Sequence, residues 1–320
     1  MKKNLPAAML SVLLCSICAA GEISFNSVAE NCGMTRFDIN AERIEYRKTN
    51  TRLRFVPPKR EFFFNGIRRV PGFAPEKKLS RRKWYLRKEN DIFISSSDWN
   101  STIRPLLNPA IVPRHWISAI TLDAGHGGSD TGALGKFSKE KDINLRITLR
   151  TAAILKACGY RVFLTRDQDK TVPLKNRRAI QKSHKSDLFV SIHVNAVNNP
   201  AIRGIETYAL TPETAPSTNG KPKLERHPAN VRNTNNLLLA YMLQKAMLSR
   251  TGAADRGVKR ARFSVLRDIS APGALVEVGF ISNQADEKLL NSKEYIEKIS
   301  RAIAEGILTY HRTIYKYGKQ

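Results

Sequence analysis

The rhythm of apolar and polar residues changes twice along the chain. An apolar stretch from Leu5 to Ala20 follows Lys2 and Lys3. From about 41 to 108, short apolar runs alternate with basic residues, and beyond Pro113 apolar strands alternate with amphipathic helices. EFFFNGIRRV sets Asn65-Gly66 between two apolar-rich runs, the dipeptide favoured by a two-residue hairpin turn. KWYLRKENDIFIS predicts a second hairpin around Glu89-Asn90. SDWNSTIRPLLNP predicts a short helix capped by Ser97 and stopped by prolines. Residues 21–40 have no clear period and read as a linker.

Past Pro113, WISAITLD predicts a buried strand, and INLRITLRTAAILKACG a helix closed by Gly159. RVFLTR, DLFVSIHV, GIETYAL, FSVLR and GALVEVGF read as strands. LKNRRAIQKSH, NNLLLAYMLQKAMLSRTG (closed by Gly252) and KEYIEKISRAIAEGILTYHR read as helices. This alternation predicts an α/β fold, a mostly parallel twisted sheet with helices on both faces, preceded by a small β-rich module. The expected divisions are 1–20 as a signal peptide, 21–40 as a linker, 41–110 as the module and 111–320 as a catalytic domain. The hairpin rhythm of 41–108 resembles the small modules related to the copper amine oxidase N-terminal domain that precede some cell-wall enzymes. An inert spacer explains it equally well.

Charge and the first residues narrow the functional classes. The sequence holds 54 Lys and Arg against 28 Asp and Glu, a net charge of +26, which asks for a polyanionic partner. The basic start, the apolar stretch and small Ala19, Ala20 and Gly21 have the layout of a secretory signal. Export to the periplasm or cell envelope argues against nucleic acid as the polyanion. No later run is apolar for long enough to span a bilayer, so no transmembrane anchor is expected. A lipid anchor at Cys15 or Cys18 is disfavoured by the Leu and Ile that precede them. Removal of the signal leaves Cys32 and Cys158, too few for a disulfide framework, with Cys158 expected as a buried thiol.

In a parallel sheet the chemistry gathers at the carboxyl ends of the strands. That rule selects His126 in the glycine-rich TLDAGHGGSDTGALG, Glu140 at the start of the helix after that loop, His193 at the end of DLFVSIH, and Glu277 inside ALVEVGF. Each alone has an ordinary structural explanation. Glu277 resists it most, because a carboxylate between two valines is costly to bury without a partner. Together, two imidazoles and one carboxylate suit zinc and leave a fourth position for water, with a second carboxylate to move its proton. Gly125, Gly127 and Gly128 would let backbone approach metal and substrate closely.

LDAGHGGSDTGALG, SKEKDINL, LTR, SIHVNA and VEVGFISN occur in that order, and over about 118–312 the chain resembles zinc-dependent N-acetylmuramoyl-L-alanine amidases that split peptidoglycan during cell separation. The resemblance implies a phosphorylase/hydrolase-like fold, His126, Glu140 and His193 as Zn2+ ligands, and Glu277 as the catalytic carboxylate. Asp130 and Asp142 lie near Glu140 as competing ligands. The reaction implied is hydrolysis of the amide between the lactyl group of N-acetylmuramic acid and L-alanine. Asn195 would bind substrate or close its strand with a side-chain turn, and Asn283 would cap a helix. Activator-controlled relatives carry an inhibitory helix near the place of residues 211–233. That insertion is Pro-rich here and lacks a helical period, so no helical plug is expected and an activator protein remains an open partner. His227 and Glu225 read as part of a surface loop rather than as metal-blocking groups. Two other readings stand beside this one: a zinc peptidase acting on another wall amide, and a non-enzymatic basic wall-binding protein, for which RRKWYLRK (81–88) is the best support.

Overall fold

The structure, a computed structural model, describes residues 22–40, 43–56, 61–69, 85–88, 91–213, 215, 217 and 225–318. The expected signal segment, the RRKW of RRKWYLRK and Glu89-Asn90 lie outside the described residues. Six strands form the centre: β9 (Ala119–Ala124), β10 (Arg161–Leu164), β11 (Leu188–Asn195), β12 (Ile205–Leu210), β13 (Asp255–Ala261) and β14 (Gly273–Phe280). Their order is β10-β9-β11-β14-β12-β13. All neighbours are parallel except β12 and β14.

Strand periodicity sorts the side chains onto two faces. Ile120 and Leu122, Val190 and Ile192, and Ala274 and Val276 enter one large apolar core. Three long helices cover that face: α2 (Glu140–Ala157), α4 (Asn233–Thr251) and α7 (Lys293–Tyr317). The alternate positions belong to the other face, where a smaller cluster of Phe189, Tyr208, Leu210 and Leu275 is covered by thinner structure. There sit α3 (Leu174–Ser183) and α5 (Ser264–Arg267). Asp123, Ser191, His193, Glu206 and Glu277 share the parity of this second face.

The N-terminal region departs from expectation. The described residues 22–40 of the expected linker 21–40 are structured: they hold β1 (Glu22–Ser24), α1 (Phe25–Asn31) and β2 (Thr35–Asn40). The apolar residues Phe25 and Val28 of α1 are fully buried, Phe25 edge-on against Tyr46 and Phe55. Strands β3 (Arg43–Lys48), β4 (Thr51–Val56), β5 (Glu61–Phe64) and β6 (Ile67–Arg69) complete an antiparallel meander with β2. This meander is continuous with the central sheet through Val258 opposite Arg69, giving eleven strands in all. The pairing covers what would be a bare edge at β13. The hairpin at Asn65-Gly66 is present, with positive φ at both residues. The second hairpin also forms, from β7 (Tyr85–Lys88) and β8 (Asp91–Ser95), and pairs with β1.

Three smaller expectations fail. Ser95, not Ser97, caps the helical run over 96–107, through its Oγ and the Asp98 amide. FSVLR forms α5 rather than a strand, and the charged DRGVKRA supplies the neighbouring strand instead. Cys158 is exposed, because it caps α2 where the helix leaves the core. Asn283 does cap α6 (Gln284–Asn291) as expected, accepting from the Ala285 and Asp286 amides.

Candidate metal centre and cleft

His126 follows the carboxyl end of β9, His193 lies near the end of β11, and Glu140 is the first residue of α2. The two imidazole rings stand 5.0 Å apart and nearly perpendicular. Glu140 Oε1 lies 3.3 Å from His126 Nε2 and 3.0 Å from His193 Nδ1. One ligand atom from each residue falls within 4.8 Å of the others. Zinc bonds of about 2.0–2.2 Å place neighbouring ligands about 3.3 Å apart at a tetrahedral centre, so the donor set fits the ion in chemistry and the two glutamate–histidine distances match its spacing. Asp142 is not in the group, and Asp130 takes a different part.

Asp130 Oδ2 is 2.9 Å from His126 Nδ1, while its Oδ1 accepts from the Gly132 amide. The ring is thereby turned so that Nε2 faces Glu140, the carboxylate–histidine arrangement common behind metal ligands. Glu140 is itself fixed by the amides of Val194 and Ala133 and by Asn144 Nδ2. Burial pushes the Glu140 carboxyl up, but hydrogen bonds and charge from both histidines outweigh it and hold the group far below the usual carboxylate range. Burial pulls His126 down, and Glu140 and Asp130 raise it past its ordinary value.

Two buried arginines brace the histidine loop. Arg166 donates to the carbonyls of Ala124, Gly125 and Lys141. Arg177 donates to the Ala124 and His126 carbonyls and pairs with Asp123 at 2.7 Å. Asp123 also accepts from Thr165 and Ser191. Burial pushes its carboxyl up, yet Arg177 and these hydrogen bonds leave it below its ordinary value. His126 adopts a left-handed backbone with φ of 61°, a conformation uncommon outside glycine and tolerated more readily by His than by bulky residues. Gly125 serves the site directly, since a Cβ there would stand 2.3 Å from the His193 ring. Gly127 and Gly128 serve it indirectly, by packing against Lys170 and Thr171 rather than facing the ligand atoms.

The triad opens on a cleft of about 480 Å³ lined on its other side by Val172, Pro173, Leu174, Phe263 and Val265. Glu277 lies on its floor, opposite His193 across the parallel pair and opposite Glu206 across the antiparallel one. It is 8% exposed, and its Oε2 has no hydrogen-bond partner among the described residues. Burial, then the charges of Glu140 and Glu206, raise its carboxyl well above the ordinary range, against a smaller opposing pull from Lys259.

Glu206 is a second buried acid that sequence reasoning passed over. Its Oε1 accepts from Asn195 Nδ2 and Tyr208 Oη, and its Oε2 from Lys259 and Arg256. The signal was there in GIETYAL, an acid within an apolar strand, the same feature that marked Glu277. Asn195 is thus engaged with Glu206 and, through Oδ1, with the amide of Ala196. His227 stays away from the triad, 3.6 Å from Glu225. The described part of 211–233 contains one short 3-10 turn, Pro228–Arg232, and no longer helix ahead of α4.

Comparison with known proteins decides the family. A family model described as N-acetylmuramoyl-L-alanine amidase matches residues 120–309, more than half of the chain. The chain belongs to this family. The amidase is 35% identical over 217 residues to N-acetylmuramoyl-L-alanine amidase AmiA of Escherichia coli, covering 60% of this chain and 75% of the relative. It is 34% identical over 219 residues to AmiC of Neisseria meningitidis, covering 61% of this chain and 53% of that protein. Among solved structures, AmiC2 of Nostoc punctiforme superposes with a TM-score of 0.53 at 36% identity, over 61% of this chain and 97% of that one. The catalytic domain of CwlV from Paenibacillus polymyxa gives 0.53 at 30% identity, over 62% and 99%. The amidase is therefore a peptidoglycan hydrolase, and His126, Glu140 and His193 form its candidate metal site. The family match begins at residue 120 and leaves the N-terminal meander outside it.

Proposed function

We propose that this amidase is an exported zinc hydrolase that cleaves the amide between the lactyl group of N-acetylmuramic acid and L-alanine, with Glu277 as the proton-transfer group. His126, Glu140 and His193 would hold the ion. Bound there, zinc would polarise the scissile carbonyl and acidify a water in the open position. Glu277 would take a proton at Oε2 and deliver it to the departing amine of L-alanine. The unpartnered, buried Oε2 beside the triad carries this reading, because buried polar atoms are rarely left unpaired unless they serve a ligand. Arg166 and Arg177 hold the His126 loop so that the imidazole does not drift during the reaction. The apolar wall of Val172, Pro173, Phe263 and Val265 excludes water from the reacting face. Asn195 acts by holding Glu206 beside Glu277 rather than by touching substrate.

A Glu277→Gln variant tests the assignment. It keeps one zinc per chain and loses about 10²- to 10⁴-fold in sacculus hydrolysis. Hydrolysis within about twofold of wild type would overturn the role of Glu277, whereas only a wild-type protein that binds sacculi and releases nothing would leave a basic wall-binding protein. A zinc peptidase acting within the stem is separated by product masses, since only the proposed cut frees stems that begin at L-alanine. Export rests on the N-terminal pattern, and an N-terminus of the secreted protein still at Met1 would contradict cleavage near Ala20.

A further inference from the structure

The N-terminal meander and the catalytic half together enclose a second cleft, of about 460 Å³, lined by Asn50, Arg52, Arg54, Phe63, Asn65, Gly66 and Lys245. Its floor is the outer face of β4 and β5. Leu53 and Phe55 point into the core, which turns the alternate residues Arg52 and Arg54 outward. Its wall is α4. Tyr241 of that helix packs edge-on against Phe64, with ring centroids 5.5 Å apart. Lys245 is one turn further on, on the same helix face, and so overlooks the hairpin.

The lining has a consistent chemistry. Three cations face the cleft and, among the described residues, no acid lines it. Arg52 is 2.8 Å from Glu45, which also holds Arg47 at 2.6 Å. Arg54 and Lys245 have no ion pair among the described residues. The Arg54 guanidinium carbon sits over the Phe63 ring, 4.3 Å from its centre, a cation–π contact. Asn65 uses Oδ1 to accept from the Arg52 amide, and no hydrogen bond involves its Nδ2 among the described residues. A ring-backed arginine, a lysine and an amide donor around one hollow suit a carboxylate, which an arginine can grip with two parallel bonds.

We infer that this cleft is a second, non-catalytic site for the stem-peptide carboxylates of peptidoglycan, holding the polymer while the metal-centred cleft cuts it. The inference rests on the amidase reading, which names the polymer. It adds a site built jointly by the meander and α4, so that the two halves of the chain grip one substrate together.

Co-sedimentation with intact sacculi tests it, using the full chain carrying Glu277→Gln so that the polymer survives. Adding Arg54→Ala and Lys245→Ala should weaken sedimentation roughly tenfold, the sum of two exposed ion pairs, while the melting temperature stays within about 2 °C of the parent. A control carrying Lys298→Ala and Arg312→Ala removes the same charge from the C-terminal helix and should change sedimentation by less than about twofold. Sacculi with amidated carboxylates should lose binding, and sacculi stripped of phosphodiester polymers should retain it. Undiminished binding of the cleft variant overturns the inference, as does equal loss in the control, which would reduce the effect to net charge. Binding that depends on the phosphodiester polymer and survives amidation also overturns it. If wild-type digestion frees L-alanine termini while the cleft variant sediments normally, the second site alone fails and the amidase reading stands.

Discussion

Asp130→Asn should weaken zinc binding without disturbing the fold, and the size of the effect follows from two hydrogen bonds. In the native loop, Asp130 Oδ2 accepts from His126 Nδ1 at 2.9 Å while Oδ1 accepts from the Gly132 amide at 3.1 Å. An asparagine can satisfy only one of these. If its amide nitrogen faces His126, it donates to Nδ1, and the imidazole proton must move to Nε2, the nitrogen that faces Glu140 at 3.3 Å. That tautomer cannot offer Nε2 to a metal. If the side chain flips, its nitrogen confronts the Gly132 N–H and a loop hydrogen bond worth about 1 kcal/mol is lost. The outer partners of metal-bound histidines typically contribute 10- to 100-fold in affinity, or about 1.4–2.7 kcal/mol. Competition against a calibrated chelator should show a zinc dissociation constant raised by roughly that factor, with an unchanged circular dichroism spectrum. A constant within about twofold of wild type would refute the claim that Asp130 sets the histidine tautomer.

Two further outcomes follow from the packing. Asp98 is buried, and desolvation raises its carboxyl from 3.8 to about 7 against the pull of Ser95 and Arg260. Its protonation therefore stabilises the fold below about pH 4, and that contribution, at most about 4 kcal/mol, fades as pH rises through about 7. Urea unfolding at about pH 5 and pH 8 should show a fall that Asp98→Asn flattens, and an unaltered slope in the variant would contradict it. Gly125→Ala places a methyl group 2.3 Å from the His193 ring. The purified variant should fold yet carry well under half a zinc per chain by elemental analysis, and full zinc occupancy would contradict the close approach.

The triad was legible because its members follow a rule of place. His126 and His193 lie at the carboxyl ends of strands, which apolar runs locate, and the family resemblance singled out Glu140, at the start of a helix, from the nearby Asp130 and Asp142. Glu277 was legible through the cost of a carboxylate among valines. What surrounds them was not, because the relevant partners are distant in sequence. Arg177 reads as one of four basic residues on a polar helix, and only folding brings it to Asp123 and the His126 carbonyl. DRGVKRA carries four charges in seven residues and drew no strand assignment. Within the fold its charges are taken up, Arg256 and Lys259 by Glu206 and Arg260 by the carbonyls of Leu210 and Ser101, which leaves the segment free to be a strand. FSVLR shows the opposite ambiguity, since a short apolar run fits a strand or a helical turn equally well. The fusion of the meander to the central sheet depends on the single register of Val258 against Arg69, for which neither sequence carries a signature.

Mass spectrometry of sacculi digested by the purified full chain, before chelation, after it and after zinc is returned, bears most directly on the metal-held centre. Stem peptides beginning at L-alanine should be released, should vanish on chelation and should reappear with zinc. Release that persists after the metal is stripped, or fragments cut at another bond, would contradict a zinc-dependent amidase built on His126, Glu140, His193 and Glu277.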